Sequence, residues 1–193
     1  MLGIILCGGL STRMGNDKGL LKLHAKTWAQ TAIDKVSELQ IPVVISINRY
    51  QYPGYSSIFP QSQLVPDNET LKIKGPLCAV LSVHLQYPNE DLIILACDMP
   101  LMETEILKEL MTHYRQDPGD AFVFAHDGEP EPLCGIYKAS GLSHVLHLSE
   151  TGQLPRFSMK SMLEHIDTRF IPLPDEKKKC FRNFNAHAEL NGL

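Results

Sequence analysis

A short apolar run that breaks into two glycines, with hydroxyls and cations directly behind them, leaves a chain few ways to fold. Leu2–Leu6 runs into Cys7-Gly8-Gly9; Ser11, Thr12 and Arg13 follow, then Gly15 and Lys18. Such a run reads as a buried strand. The segment after it reads as a loop that can wrap a phosphate: glycines let backbone N–H groups approach an anion closely, and Arg and Lys neutralise its charge.

Two common phosphate motifs are excluded. A P-loop needs Gly, four residues, then Gly-Lys-Ser/Thr; here five residues separate Gly9 from Gly15, and Asn16 follows. The dinucleotide fingerprint G-x-G-x-x-G is also missing, because Gly8 and Gly9 are adjacent. The loop belongs to a third kind.

Downstream, strand and helix patterns alternate. Trp28, Ala32, Ile33, Val36 and Leu39 repeat with a helical period, predicting a helix over Thr27–Leu39. Val43–Ile47 reads as a strand closed by Asn48-Arg49, and residues 51–62 as a short helix or loop. Leu64-Val65 is a brief strand ended by Pro66-Asp67. Gly75-Pro76 starts a helix over Leu77–Gln86, with Pro suited to the first turn. Leu92–Ala96 is a buried strand ending in Cys97-Asp98-Met99-Pro100. Thr104–Tyr114 is a helix, Ala121–Ala125 a strand, and His126–Glu129 a hairpin turn leading to Leu133–Tyr137. Arg156 opens a helix with Phe157, Met162 and Leu163. Glu176-Lys177-Lys178-Lys179 reads as a solvated loop.

Near-continuous apolar strands between helices predict an α/β fold, three layers with a mainly parallel sheet and a small β-hairpin and helical C-terminal region. Such sheets bind ligands at the carboxyl ends of their strands. The glycine loop, Asn48, Asp67 and Asp98 each follow a strand, so they are expected to converge.

At 193 residues the chain fits one domain. A net charge of −4 argues against general nucleic-acid binding. No apolar run reaches membrane-spanning length, and Leu2–Leu6 is too short for a signal peptide, so a cytoplasmic protein without membrane contact is expected. Five cysteines are scattered without C-x-x-C spacing and read as reduced and structural. His144 and His147 share a helical spacing but lack a third metal ligand. Asp98 suits the mouth of an apolar strand, where a charge is tolerated. It reads either as a ligand for Mg²⁺ (or Mn²⁺), shared with substrate phosphates, or as a turn cap before Pro100. Asn48 offers both donor and acceptor to a nucleobase edge.

Leu6-Cys7-Gly8-Gly9, Ser11-Thr12-Arg13-Met14-Gly15 and Asp17-Lys18-Gly19-Leu20-Leu21 resemble the signature loop of nucleotidyltransferases with a Rossmann-like fold, and within them most resemble the molybdenum cofactor guanylyltransferase family. The usual signature reads Leu-Ala-Gly-Gly; Cys7 stands for Ala and is small enough to pack alike. The resemblance implies transfer of GMP from GTP to the phosphate of molybdopterin, with release of pyrophosphate. It implies Leu6, Cys7, Gly8, Gly9, Lys18, Asn48, Asp67 and Asp98 around GTP, with Asn48 near the base and Mg²⁺ or Mn²⁺ on Asp98. Arg13, Lys18 and Asp98 are then the catalytic groups, Arg13 at the leaving pyrophosphate and Lys18 near the α-phosphate.

On the pterin side the same resemblance implies Arg156, Asn183 and Asn185, along with the segment Glu131–Tyr137. Phe181-Arg182-Asn183-Phe184-Asn185 is similar to the family's Asn-x-Asn-Thr-Pro close, with Ala186-His187 in place of Thr-Pro. Residues 1–100 are expected to form a GTP-binding half and 101–193 a molybdopterin-binding half of one domain. Transient contact with other cofactor-biosynthesis proteins and with apo-molybdoenzymes is implied too. Related cytidylyltransferases read Leu-Ala-Ala-Gly and Asp-Gln-Pro; Gly8 removes a methyl beside the base, which favours guanine over cytosine. Another nucleotidyltransferase, using CTP or a sugar phosphate, and a non-catalytic GTP- or pterin-delivery module are the alternatives.

Overall fold

Leu2–Leu6 does form the first strand, β1, and it lies in the middle of a seven-stranded sheet. The computed structural model describes residues 1–8, 17–23 and 25–184. In chain order the elements are β1; a small hairpin, β2 (Lys22–Leu23) and β3 (Lys26–Thr27); α1 (Trp28–Ser37); β4 (Val43–Ile47); α2 (Tyr52–Ser56); β5 (Leu64–Pro66); α3 (Pro76–Gln86); β6 (Leu92–Ala96); α4 (Thr104–Gln116); β7 (Ala121–His126); β8 (Glu129–Tyr137); α5 (Ala139–Glu150); α6 (Met159–Leu163); and β9 (Thr168–Pro172).

The sheet order is β5-β4-β1-β6-β8-β7-β9. β5, β4, β1 and β6 run parallel to one another, and β9 runs parallel to β7. β8 alone is antiparallel, to β6 on one side and β7 on the other. From β1 the chain moves outward through β4 to β5, then returns to place β6 on the opposite side of β1. That reversal is the switch point at which open α/β sheets form a crevice.

Both faces are covered, which is why the strands read as continuous apolar runs. Ile5, Ile45, Ile93 and Leu95 pack with α1, α2 and α4. Leu2, Ile4, Val44, Leu92 and Ile94 pack with α3, α5 and α6. The three-layer α/β expectation is met. Among the described residues no helix is long and apolar enough to cross a membrane. All five cysteines are buried, with free thiols.

Local chemistry sets the element ends. Thr27 caps α1: its Oγ1 accepts the Gln30 N–H at 3.1 Å. The helix stops short of Leu39 because Gln40 turns into the left-handed region at φ 58°. Asp127 and Gly128 take φ values of 49° and 79°, both left-handed, as a two-residue hairpin turn requires. β8 therefore begins at Glu129, not Leu133, since a turn this tight pairs His126 with Glu129 directly.

Three expectations are corrected. Arg156 does not open a helix: α6 starts at Met159, where the Ser158 Oγ accepts the Ser161 N–H at 3.1 Å, and Arg156 is exposed before it. The lysine run is not a loop but lies in a 3₁₀ helix over Asp175–Phe181, with Lys177 Nζ 2.7 Å from Glu103 Oε2. α5 and β9 add a helix and an edge strand that the spacing did not predict.

Replacing Thr27 with Ala removes the α1 cap and is expected to cost about 1 kcal/mol, lowering Tm by about 2–4 °C. Thr27→Ser keeps the acceptor and is expected to hold the wild-type melting curve. Calorimetry of the three proteins checks this.

Candidate functional site

The parallel strands deliver four chain ends to one edge of the sheet. Pairing continues one residue past the strands: the Cys7 N–H donates to the Ser46 carbonyl at 2.9 Å, the Cys97 N–H to Leu6 at 3.1 Å, and the Asp67 N–H to Ile47 at 2.8 Å. Cys7, Cys97 and Asp67 are thus held in sheet geometry at its rim. Two cavities open there, of about 470 and 330 Å³. They share Gly8, Gly75 and Ala79, so they form two compartments of one cleft.

The smaller compartment holds one cation and one carboxylate, Lys18 and Asp98. Leu6, Cys7, Gly8, Lys18, Cys97, Asp98 and Leu133 line it. Lys18 Nζ stands 3.4 Å from Asp98 Oδ2, with both side chains about three-quarters buried. The N-terminal end of α3 opens on both compartments at Gly75, and on the smaller one at Pro76 too, and adds a helix dipole that favours an anion.

The backbone around Asp98 is clamped from two sides. The Phe184 N–H donates to the Asp98 carbonyl at 2.9 Å, and Lys35 Nζ from α1 donates to the Pro100 carbonyl at 2.6 Å. Burial lowers the pKa of Lys35 below the usual lysine range. Phe184 is fully buried against Trp28, with Leu21 and Leu101 packed alongside. Among the described residues no group of three or more His, Cys, Asp or Glu side chains is placed to hold a metal ion.

The larger compartment lies beside the smaller one, across Gly8, Gly75 and Ala79. Gly8, Asn48 and Asp67 line it. Asp67 Oδ1 is buried with no hydrogen-bond partner among the described residues, and burial pushes the carboxyl up to about 6. An added Cβ on Gly8 would lie 3.9 Å from the Asn48 nitrogen and 4.0 Å from Asp67 Oδ2. These are ordinary contacts, so a methyl there fits the protein and takes up only the space between Asn48 and Asp67.

Beneath the two compartments lies a network that spacing alone does not single out. Asn48 Oδ1 accepts the Gln51 N–H at 3.1 Å, and Gln51 Oε1 accepts the Asn48 N–H at 2.8 Å. Asn48-x-x-Gln51 is a capping-box pattern, the one local signal of this link. Asp17 accepts from Gly19 N–H at 3.0 Å, Tyr55 Oη at 2.9 Å and Gln51 Nε2 at 2.5 Å. Burial pushes Tyr55 far above the ordinary phenol range, so it stays protonated and donates. Gly19 is required by close approach: a Cβ would meet the Tyr55 hydroxyl at 2.1 Å.

Leu6, Cys7, Gly8, Lys18, Asn48, Asp67 and Asp98 therefore line one cleft, as their strand-end positions predict. Gly9, Arg13 and Asn185 lie outside the described residues. Arg156 and Asn183 are exposed and line neither compartment; Asn183 adjoins the Phe184 clamp on Asp98.

A buried carboxylate without a partner opposes folding. The folded-state pKa of Asp67 is raised, so the folded protein holds more protons between about pH 4 and 6, and stability falls as pH rises through that window. Asp67→Asn is expected to be more stable than wild type at pH 7.5 by about 1–2 kcal/mol, allowing for the part of the group that water still screens. The advantage should vanish near pH 4. Urea melts at both values check it; an Asn variant no more stable at pH 7.5 contradicts the strain.

Known proteins place this architecture. A family model described as MobA-like NTP transferase domain matches residues 3–168. A relative from Flavobacterium johnsoniae, named "Probable molybdenum cofactor guanylyltransferase", is 30% identical over 191 residues, covering 98% of this chain and 94% of its own. A molybdenum cofactor guanylyltransferase from Campylobacter jejuni is 27% identical, over 96% of this chain and 91% of its own. Among solved structures, molybdopterin-guanine dinucleotide biosynthesis protein A from Archaeoglobus fulgidus superposes with a TM-score of 0.79 at 23% identity, over 99% of this chain and 95% of that one. The fold is thus the Rossmann-like nucleotidyltransferase fold, and the chain belongs to the MobA-like NTP transferase domain family.

Proposed function

We propose that this cleft transfers GMP from GTP to the phosphate of molybdopterin and releases pyrophosphate. The observation that carries the choice of base is the pairing of Asp67 with Asn48. An ionised Asp accepts hydrogen bonds and donates none. With its oxygen committed to Gln51, Asn48 has its NH₂ group to offer. Guanine presents the matching edge, two adjacent N–H donors beside a carbonyl acceptor. Cytosine offers a single donor beside two acceptors, and adenine lacks the second donor. Gly8 leaves room for a purine between the two side chains.

The triphosphate then falls in the smaller compartment. Attack of the acceptor phosphate on the α-phosphate is an in-line displacement that needs positioning and charge neutralisation, with no protein nucleophile. Lys18 neutralises charge at the α-phosphate. Arg13 is assigned to the leaving pyrophosphate by the family resemblance. Backbone N–H groups at Gly8 and Gly9 hold phosphate oxygens.

The donor set at Asp98 suits Mg²⁺ or Mn²⁺: one hard carboxylate at a cavity mouth, beside the space where phosphate oxygens and water complete the sphere. Asp98 would hold such an ion, which when bound supplies charge neutralisation at the phosphates. The Phe184 and Lys35 clamps keep the Asp98 backbone in place for it. The acceptor approaches along Leu133 and the C-terminal segment that carries Asn183, with Arg156 and Asn185 assigned to it by resemblance alone. A cytoplasmic location and transient hand-over to apo-molybdoenzymes follow from the same reading.

Pyrophosphate release with molybdopterin and Mg²⁺, compared for GTP, CTP and ATP, tests the reaction. GTP is expected to lead in kcat/KM by about 100-fold; efficient CTP use with poor GTP use overturns the reading. Lys18→Ala and Asp98→Asn are each expected to lower kcat by about 10²–10³-fold with an unchanged fold by circular dichroism. Near-normal turnover in either contradicts its role.

A further inference from the structure

One side chain beneath the cleft uses every hydrogen-bonding group it has. Gln51 Nε2 donates to the Cys7 carbonyl at 2.8 Å and to Asp17 Oδ2 at 2.5 Å, and Gln51 Oε1 accepts the Asn48 N–H at 2.8 Å. Cys7 stands just before, and Asp17 just after, the stretch 8–16. A single NH₂ group therefore ties the two ends of the phosphate-loop segment together. The same residue's backbone N–H turns Asn48 Oδ1 away from the base.

The orientation of this amide is unique. Rotated by half a turn, it would set its oxygen against the Asp17 carboxylate and the Cys7 carbonyl, and its NH₂ against the Asn48 N–H, losing all three bonds. Asp17 is equally committed. Its other oxygen accepts from Gly19 N–H and Tyr55 Oη, which fixes the turn that presents Lys18.

From this geometry we infer that Gln51 is a positioning residue that couples base recognition to phosphate placement. It sets which group Asn48 shows the base, and through Asp17 it sets where Lys18 stands. A base that displaces Asn48 then also disturbs Lys18, so a poor base is turned over slowly as well as bound weakly. The inference rests on reading the cleft as a GMP-transfer site.

A reciprocal exchange tests it. Gln51→Glu keeps the acceptor toward Asn48 but faces Asp17 with a second carboxylate. It is expected to lower kcat by about 10–100-fold while raising KM for GTP by less than about threefold. Asp17→Asn alone sets two NH₂ groups against each other and is expected to lose a similar factor. In the Gln51→Glu/Asp17→Asn double variant the bond to position 17 returns with its direction reversed and the amide oxygen introduced there still accepts from Gly19 and Tyr55, while the Cys7 carbonyl goes without its donor as in Gln51→Glu. At least about tenfold of kcat should return.

Gln51→Leu removes the three side-chain bonds, including the one that anchors the Asn48 backbone, keeps the backbone N–H on Asn48 Oδ1, and is expected to lower kcat and the preference for GTP over ITP together. A double variant no better than Gln51→Glu, or a loss confined to KM, overturns the inference. So does a Gln51→Leu protein that loses Tm and loses activity equally for GTP and ITP with no rescue, since that is a purely structural role. The exchange is read with whichever nucleotide the wild type uses best, so a wild type that does not prefer GTP sinks the guanylyl reading while the rescue still decides on Gln51.

Discussion

The shared direction of β5, β4, β1 and β6 is the constraint on which the rest depends. Because these four strands are parallel neighbours, their carboxyl ends open on one edge, and the residues that follow them meet there. Asn48, Asp67 and Asp98 lie 40, 59 and 90 positions after Gly8 along the chain, yet all four line one cleft. Burial of β1 on both faces holds the arrangement, with Ile5 against α1 and Ile4 against α3. Slipping any of these strands by one residue would turn its apolar set over and move its site residue out of the rim.

The cleft sorts its polar groups by task. Lys18 and Asp98 stand together in the smaller compartment, beside the N-terminal end of α3. The larger compartment holds a carboxylate with a buried oxygen that has no partner among the described residues, a feature that costs folding free energy unless a ligand supplies the missing donors. That cost is the ordinary signature of a site shaped for a partner. The clamps on Asp98 and the network through Gln51 are the rigid support that positioning chemistry needs, because small displacements of reacting groups are expensive in rate.

Much of this is legible from residue pattern alone. Val43–Ile47 and Leu92–Ala96 match their strands residue for residue, because buried parallel strands are continuous apolar runs bounded by polar residues. Asp98 and Asp67 stand out because a carboxylate directly after such a run must lie at its mouth. α5 is not legible: Gly141 near its start weakens the helical signal, and glycine is needed there because a Cβ would come within 2.8 Å of Asp120. β9 hides because only Ile171 of its five residues is buried, which leaves no alternation to read. The Gln51 network and the Lys177–Glu103 pair join residues 34, 44 and 74 positions apart, and no local period encodes them. The start of α6 is misread at Arg156 because the cap that sets it, Ser158, lies two residues further on.

The central claim is that Asp67, once ionised, accepts the two donors of guanine. Calorimetric titration of GTP and ITP at pH 5 and pH 7.5 tests it most directly. ITP carries the same triphosphate but lacks the 2-amino donor, so the pH dependence of the phosphates cancels in the comparison. With the Asp67 carboxyl at about 6, GTP affinity should rise between these pH values by up to about tenfold, and ITP affinity, with only the N1–H donor left to bond the carboxylate, by less. The preference should be lost in Asp67→Asn. Equal affinities for GTP and ITP at both pH values, or a preference that survives Asp67→Asn, would contradict the account.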